Sequence, residues 1–471
     1  LYLLQPSFLK LHGGLSLNSD FKFSEVKLRK SLLRLKAYEK IYTSHFITTT
    51  RSISHRVFQY LHGIFLERGR GNMSAYARIV PGSSKQSLRH MISDSPWDER
   101  PVLDHIQRDV TELIGDEENG SIHIDESSFP KQGRHSVGVA RQYCGRLGKI
   151  DNCQVGVFLG YVNGRNRTLI DERLYLPKEW ANDLPRRRAA GVPDDIVFKS
   201  KAELAKDMII HARDNGVPFG WVGMDSFYGD LPWLRNELDA EGIIYIADIH
   251  RDTWVWLNLP KVGIPERRSN HGRCPTKATV LDGEPSAVLV EDIAKQIPAS
   301  QWIRIFVRDT ERGALWTNIA VMPVYPREDD LPGRQQLLIL RHDENTDRTK
   351  YQLSNAPLDS SLSKIAEMSH SRYWIERSFE DAKGIAGLAD YQMVNWMGWH
   401  HHTTISLLAM LVLLSISVDA GEETDILTVQ DAKILLEMML SRKRYRDKDV
   451  IKFIKERYRA RHSAKISHSR L

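Results

Sequence analysis

Residues 371–391, SRYWIERSFEDAKGIAGLADY, hold the chain's most suggestive grouping of reactive side chains. At about 100° per residue, Glu376 lies about 40° and Lys383 about 20° around a helix from Arg372. One carboxylate and two cations then share a narrow face. Ile375, Phe379, Ala382 and Ala386 form an apolar stripe about 20° to 80° to the other side. Burying that stripe would hold Arg372, Glu376 and Lys383 along the edge of a cleft. Glu380 and Asp381 are rival carboxylates further from this face and are assigned to solvent. An ordinary exposed pair between Arg372 and Glu376 is the alternative that spacing leaves open.

Two more acids stand at strand-like segments. Ser121-Ile122-His123-Ile124-Asp125 alternates with period two and ends on Asp125, and Asp225 follows the short apolar run 219–224. Carboxylates are hard oxygen ligands suited to Mg²⁺. Two such ions about 4 Å apart can activate a nucleophile and neutralise charge on a pentavalent phosphorus. Arg and Lys beside them hold phosphates without competing for the metal.

The elements that would carry these residues follow from periodicity. Helical patterns cover residues 23–42, 55–67, 84–92 and 102–114, and strands are expected at 121–125, 154–162 and 167–176, with a hairpin turn at Asn163-Gly164. A helix at 201–215, a strand at 219–224, a helix at 231–241 and a strand at 243–249 come next. That is the element order of ribonuclease H-like folds, with acids at the ends of the first and fourth strands. From 250 to 360 the helical pattern gives way to strand-like runs at 303–308, 319–325 and 336–340. Helical pattern resumes over 362–384, 403–418 and 429–440.

Bulk properties narrow the field. With 471 residues, 41% hydrophobic and 27% charged, the chain is expected to fold into several domains rather than remain disordered. The net charge of +6 suits a polyanionic partner, and residues 441–471 carry twelve Lys/Arg against three Asp/Glu. Three cysteines, Cys144, Cys153 and Cys274, supply neither a disulfide framework nor a zinc spacing. The longest apolar run, 405–418, is shorter than the roughly 20 residues a membrane span needs, so a buried core helix and no membrane partner are expected. Residues 1–4 lack the character of a signal peptide.

Three ordered segments resemble insertion-sequence transposases of the DDE superfamily, in the branch with a Tyr, Arg, Glu, Lys signature around the third acid. They are HIDESSFPKQG from His123, with HSVGVARQY following from His135; GMDSFYGD from Gly223; and residues 372–391, with WMGWHHH following from Trp396. The resemblance spans residues 70–418. It implies that Asp125, Asp225 and Glu376 bind the catalytic metal and that Arg372 and Lys383 contact DNA phosphates; apart from the resemblance, Lys131 is a candidate phosphate contact, with a solvated loop as the alternative. It implies Mg²⁺, with Mn²⁺ as a substitute and two ions expected, and DNA as substrate. A homodimer is expected because two element ends must meet, and the compartment implied is the bacterial cytoplasm. The signature tyrosine falls on Ser369, and Tyr373, about 100° from Arg372, does not replace it.

The expected fold is α/β: a ribonuclease H-like core with a β-rich insertion, a helical N-terminal region and a helical basic C-terminal region. Expected boundaries are 1–115 for the N-terminal region, a DNA-reading candidate, 116–250 and 361–420 for the core, 251–360 for the insertion and 421–471 for the tail. Trp254, Trp256, Trp302 and Trp316 are candidates to stack on an unpaired base, and Arg186, Arg187 and Arg188 to meet phosphates. His400, His401 and His402 point in different directions on a helix and are expected to pack rather than chelate. Two other functions stay open: a nuclease that cuts without joining, and a transposase-derived DNA-binding protein without catalysis.

Overall fold

The computed structural model describes residues 25–49, 51–266, 274–310, 313–343, 348–421 and 427–448, and scattered positions from there to 459. Residues 1–4 and the end of the basic run, 460–471, lie outside the described residues.

Five helices open the described chain: α1 (Glu25–Tyr42), α2 (Ser54–Leu66), α3 (Met73–Ile79), α4 (Lys85–Ser93) and α5 (Arg100–Ile114). Their starts use local chemistry. Asn72 accepts the Ala75 N–H ahead of α3, Ser84 forms a capping box with Ser87, and Pro101 sits in the first turn of α5.

The next segment builds a sheet. Strands β1 (Ser121–Pro130), β2 (Ala140–Cys144), β3 (Lys149–Asn163) and β4 (Asn166–Leu174) are followed by short helices α6 (Lys178–Ala181) and α7 (Leu184–Ala189). Helix α8 (Lys201–Asp214) leads to β5 (Trp221–Met224), α9 (Ser226–Gly229), α10 (Pro232–Ala240) and β6 (Tyr245–Ile249). Gly164 takes φ 59° in the β3–β4 turn, a conformation that a side chain would strain. β1 runs antiparallel to β3 and parallel to β5, and β5 runs parallel to β6. The order β4-β3-β1-β5-β6, with helical crossovers into β5 and β6, is ribonuclease H-like. β2 pairs with the start of β3 and leaves Arg141 and Tyr143 exposed, so it lacks the apolar alternation that would have marked it.

The insertion contains β7 (Trp254–Trp256), β8 (Val262–Gly263), β9 (Thr279–Val280), β10 (Val288–Leu289), α11 (Val290–Gln296), β11 (Ile303–Thr310), β12 (Gly313–Glu328), β13 (Leu331–Pro332), β14 (Gln336–Asp343) and β15 (Arg348–Ser354). β15 pairs antiparallel with β6, from Tyr351 opposite Ile249 to Ser354 opposite Ile246. The insertion therefore lengthens the core sheet instead of standing apart from it.

The helical stretch after the insertion is two helices, α12 (Leu362–Ser371) and α13 (Tyr373–Gly384), which meet at Arg372. Ser371 Oγ bonds Met368 O at 2.6 Å, a side-chain bond that competes with the helical ladder at the junction. Helix α14 (Trp396–Gly421) is longer than the apolar run suggests. By length and composition it could cross a membrane, yet nearly all of it is buried inside the protein. It packs on α1, α2, α4, α5 and β4 and on α15 (Val429–Met439). One hydrophobic core accordingly runs from Leu35 of α1 through Val57, Phe158 and Leu411 to Leu436 of α15.

Candidate active site

Sheet register brings three acids level. Across the parallel strands His123 lies opposite Gly223 and Met224 opposite Ala247, so the same register, continued, sets Asp125, Asp225 and Asp248 side by side. β1 continues to Pro130, which places Asp125 inside the strand rather than at its end. What ends beside it is the pairing of β1 with β5, which stops at His123.

Each aspartate is anchored by one oxygen. Asp125 Oδ1 accepts the Glu126 N–H at 2.7 Å, and Asp248 Oδ1 accepts Gln352 Nε2 at 2.6 Å. Asp225 Oδ1 caps α9, taking the N–H groups of Phe227 at 3.0 Å and Tyr228 at 3.3 Å. The three Oδ2 atoms face one guanidinium. Arg372 Nη2 lies 3.6 Å from Asp125 and 3.9 Å from Asp225, while Nη1 lies 3.5 Å from Asp248 and 3.7 Å from Glu376 Oε1. All four separations exceed hydrogen-bond length, and Arg372 Nε is buried without a partner. The guanidinium is thus held by opposing charge more than by directed bonds.

Four carboxylates around one cation leave the site short of positive charge. Burial pushes Asp125 up to about 7, with Arg372 opposing and Asp225 reinforcing the rise. Asp225 is likewise raised by burial against the pull of Arg372. Beneath them His123 is fully buried, and desolvation, aided by Arg372, lowers it to about 3, so it adds no charge. Carboxylate oxygens in this number are the donor set that a hard divalent cation such as Mg²⁺ takes. Among the described residues no three of them approach closely enough to hold one ion as they stand, because Arg372 fills the space between them.

Of the remaining expected residues, Lys383 extends over the Phe379 ring at 5.0 Å, and its charge feels Asp125. Lys131 turns inward: its Nζ lies 4.3 Å from the centre of the Tyr391 ring, and burial lowers it to about 8. Glu380 is exposed and pairs with Arg377. Asp381 does not face solvent; it is buried against Arg167 of β4 at 2.6 Å. Helical spacing could not anticipate a partner 214 positions away. Arg187 is buried and bonds the Ala181, Pro193 and Ile196 carbonyls, so it is committed to the fold. Trp256 is buried with its N–H on Pro285 O, whereas Trp254 and Trp316 are exposed.

The three histidines separate as their spacing requires. His400 Nδ1 meets Glu172 at 2.5 Å and His402 Nδ1 meets the Tyr60 hydroxyl at 2.8 Å. His401 stacks on Trp97 at 3.8 Å and touches the Ile92 and Trp97 carbonyls. Burial lowers His401 to about 4, so the ring is neutral and donates to one carbonyl at a time.

Asp248 and Gln352 escaped the sequence reading. A signal was present: Asp248 is the one charged residue in the otherwise apolar segment 243–249. Assigning it needed the register of β6 against β5.

A probable transposase for insertion sequence element IS701 from Microchaete diplosiphon is 32% identical over 214 residues, which cover 44% of this chain and 52% of that protein. The chain thus spans about half the length of that curated relative. A piggyBac transposase synaptic complex with hairpin DNA aligns over 89% of this chain and 78% of its own, at 12% identity and a TM-score of 0.36, too slight a likeness to bear on the fold. The family model described as DDE superfamily endonuclease matches residues 47–314, more than half of the 471 residues, and the chain belongs to that family.

Proposed function

We propose that the protein is a DNA transposase that cuts at element ends in a metal-dependent reaction and joins the freed 3′-hydroxyl to target DNA. The observation that carries this reading is the approach of Asp125, Asp225 and Glu376, from β1, the β5–α9 turn and α13, to the single Arg372 guanidinium. Membership of the DDE superfamily endonucleases and the IS701 relative support it.

On this reading Asp125, Asp225 and Glu376 hold Mg²⁺, or Mn²⁺ in its place, and the bound ions supply nucleophile activation and charge neutralisation at phosphorus. Arg372 is released from these three metal-binding carboxylates to bind a phosphate oxygen, a role its planar fork suits. Lys383 lies on the same face as a second phosphate contact, and Lys131, on the Tyr391 ring, is the more remote one. Residues 116–250 and 361–420 form the catalytic core, and 251–360 the insertion that faces the element end. The 1–115 and 421–471 regions flank that core. Two ends must be held together, so the working form is a homodimer, acting where bacterial DNA lies, in the cytoplasm.

The test uses duplex DNA carrying the inverted ends that flank the element. The parent protein should cleave and join it in Mg²⁺, and Asp225→Asn and Glu376→Gln should each lower both steps at least a hundredfold. Asn retains an oxygen to cap α9, so Asp225→Asn should fold. Parental rates in these variants would remove the assignment. Cut ends without joined product would instead favour a nuclease.

A further inference from the structure

Asp248 makes the shortest of the four carboxylate contacts to Arg372, and it is held by a side-chain amide where Asp125 and Asp225 are held by backbone N–H groups. Ser369 Oγ donates to Gln352 Oε1 at 2.5 Å, and Gln352 Nε2 donates to Asp248 Oδ1 at 2.6 Å. Asp248 Oδ2 then faces Arg372 Nη1 at 3.5 Å. The amide orientation is fixed by chemistry, since an ionised carboxylate only accepts. Ser369 and Gln352 are each 2% exposed, and Arg341 Nη1 closes the far end on the Ser369 carbonyl and hydroxyl. The result is a buried polar chain crossing from α12 through β15 to β6 that ends on the guanidinium.

Ser369 also occupies the position where the signature tyrosine was expected. Buried at 2% exposure and bonded to Gln352 and Arg341, it is turned into the protein and not toward DNA. What it contributes is the first link of the chain that fixes Asp248.

We propose that Asp248 is a positioning residue that aims Arg372 at the scissile phosphate, with Gln352 and Ser369 holding Asp248 in place. The inference rests on the transposase reading above. The charge on Asp248 keeps the Nη1 edge of Arg372 directed along the site when its Nη2 edge leaves Asp125 and Asp225. Asp248 touches neither substrate nor metal; it acts through Arg372.

The experiment measures steady-state cleavage of the terminal duplex in Mg²⁺ for Asp248→Asn, Arg372→Ala and the double variant, together with Mn²⁺ binding to the DNA-free proteins by calorimetry. Asp248→Asn should lower kcat about 10- to 100-fold with little change in KM, the range seen when a supporting partner is lost. In the Arg372→Ala background it should add less than about twofold, because both changes remove one interaction. Mn²⁺ binding should stay within about threefold of the parent, whereas Asp225→Asn should abolish it. Gln352→Met, which leaves Asp248 charged but unheld, should reproduce the kcat loss at about tenfold and covers the case in which Asp248→Asn folds poorly. Parental kcat in Asp248→Asn, additive losses in the double variant, or loss of Mn²⁺ binding would each overturn the inference, the last by making Asp248 a ligand. Parental activity in Asp225→Asn would instead overturn the transposase reading itself.

Discussion

His400 Nδ1 and Glu172 Oε1 face each other at 2.5 Å in the interior, with Glu172 fully buried. Trp399 Nε1 reaches the other oxygen of Glu172 at 2.9 Å, so two successive residues of α14 grip one carboxylate of β4. This contact fastens the central helix to the sheet that carries Asp125.

Burial alone would lower the His400 imidazolium, but Glu172, with Glu99 behind it, outweighs that cost and holds it above its ordinary 6.5. Because the folded value is raised, the pair's contribution is fully present below about pH 6.5 and is lost as pH rises through the folded value. Melting temperatures measured from pH 6 to 9 should therefore fall more steeply in the parent than in His400→Gln. Parallel curves would show that the folded protein does not raise His400 above its unfolded value.

Removing the other partner is the harsher change. Glu172→Leu leaves the buried His400 with only the more distant Glu99, at 3.9 Å, as a countercharge and strips the Trp399 N–H of its acceptor, and the expected cost is about 3–5 kcal/mol. Denaturant unfolding should show it, and a loss below about 1 kcal/mol would mean the surroundings supply a replacement.

Arg372 stands where a cation of higher charge is expected. Arg372→Ala should therefore bind Mn²⁺ about tenfold or more tightly in the absence of DNA, since four carboxylates lose their one shared countercharge. Its cleavage of terminal duplex should nevertheless fall. Calorimetry on the free variant decides the matter, and unchanged or weaker Mn²⁺ binding would dismiss Arg372 as a competitor for the site.

Gly160 of β3 lies under α13. A methyl there would come 2.3 Å from Ile375 Cδ1, and Ile375 directly precedes Glu376. Gly160→Ala should cost about 1–3 kcal/mol through overpacking and displace α13. Cleavage should drop further than the melting temperature accounts for, which a comparison at a temperature well below unfolding would reveal.

Much of the fold was written in local pattern. The alternation of 121–125, the Asn163-Gly164 turn and the order of strands and helices through 249 suffice to name a ribonuclease H-like core. Arg372 and Glu376 share a helix face because four residues make about one turn. Local pattern misses whatever depends on a distant partner. Asp381 looked like a surface acid until Arg167 was brought against it, and α12 and α13 looked like one helix until Ser371 turned back on Met368. The insertion's place was open because nothing in its own residues announces that β15 pairs with β6.

Local sequence pattern was enough to say which side chains are available for chemistry and on which elements they ride: Asp125 on a strand, Asp225 just past one, and Arg372, Glu376 and Lys383 on one helical face. Those assignments rest on periodicities of two and 3.6, which operate over a few residues. That Asp248 stands level with Asp225, and that Arg372 is the common neighbour of four carboxylates, came from long-range packing. It also decided that Ser369 supports Asp248 through Gln352. Strand register and helix docking set these relations, because burial selects among pairings that the local sequence leaves equivalent.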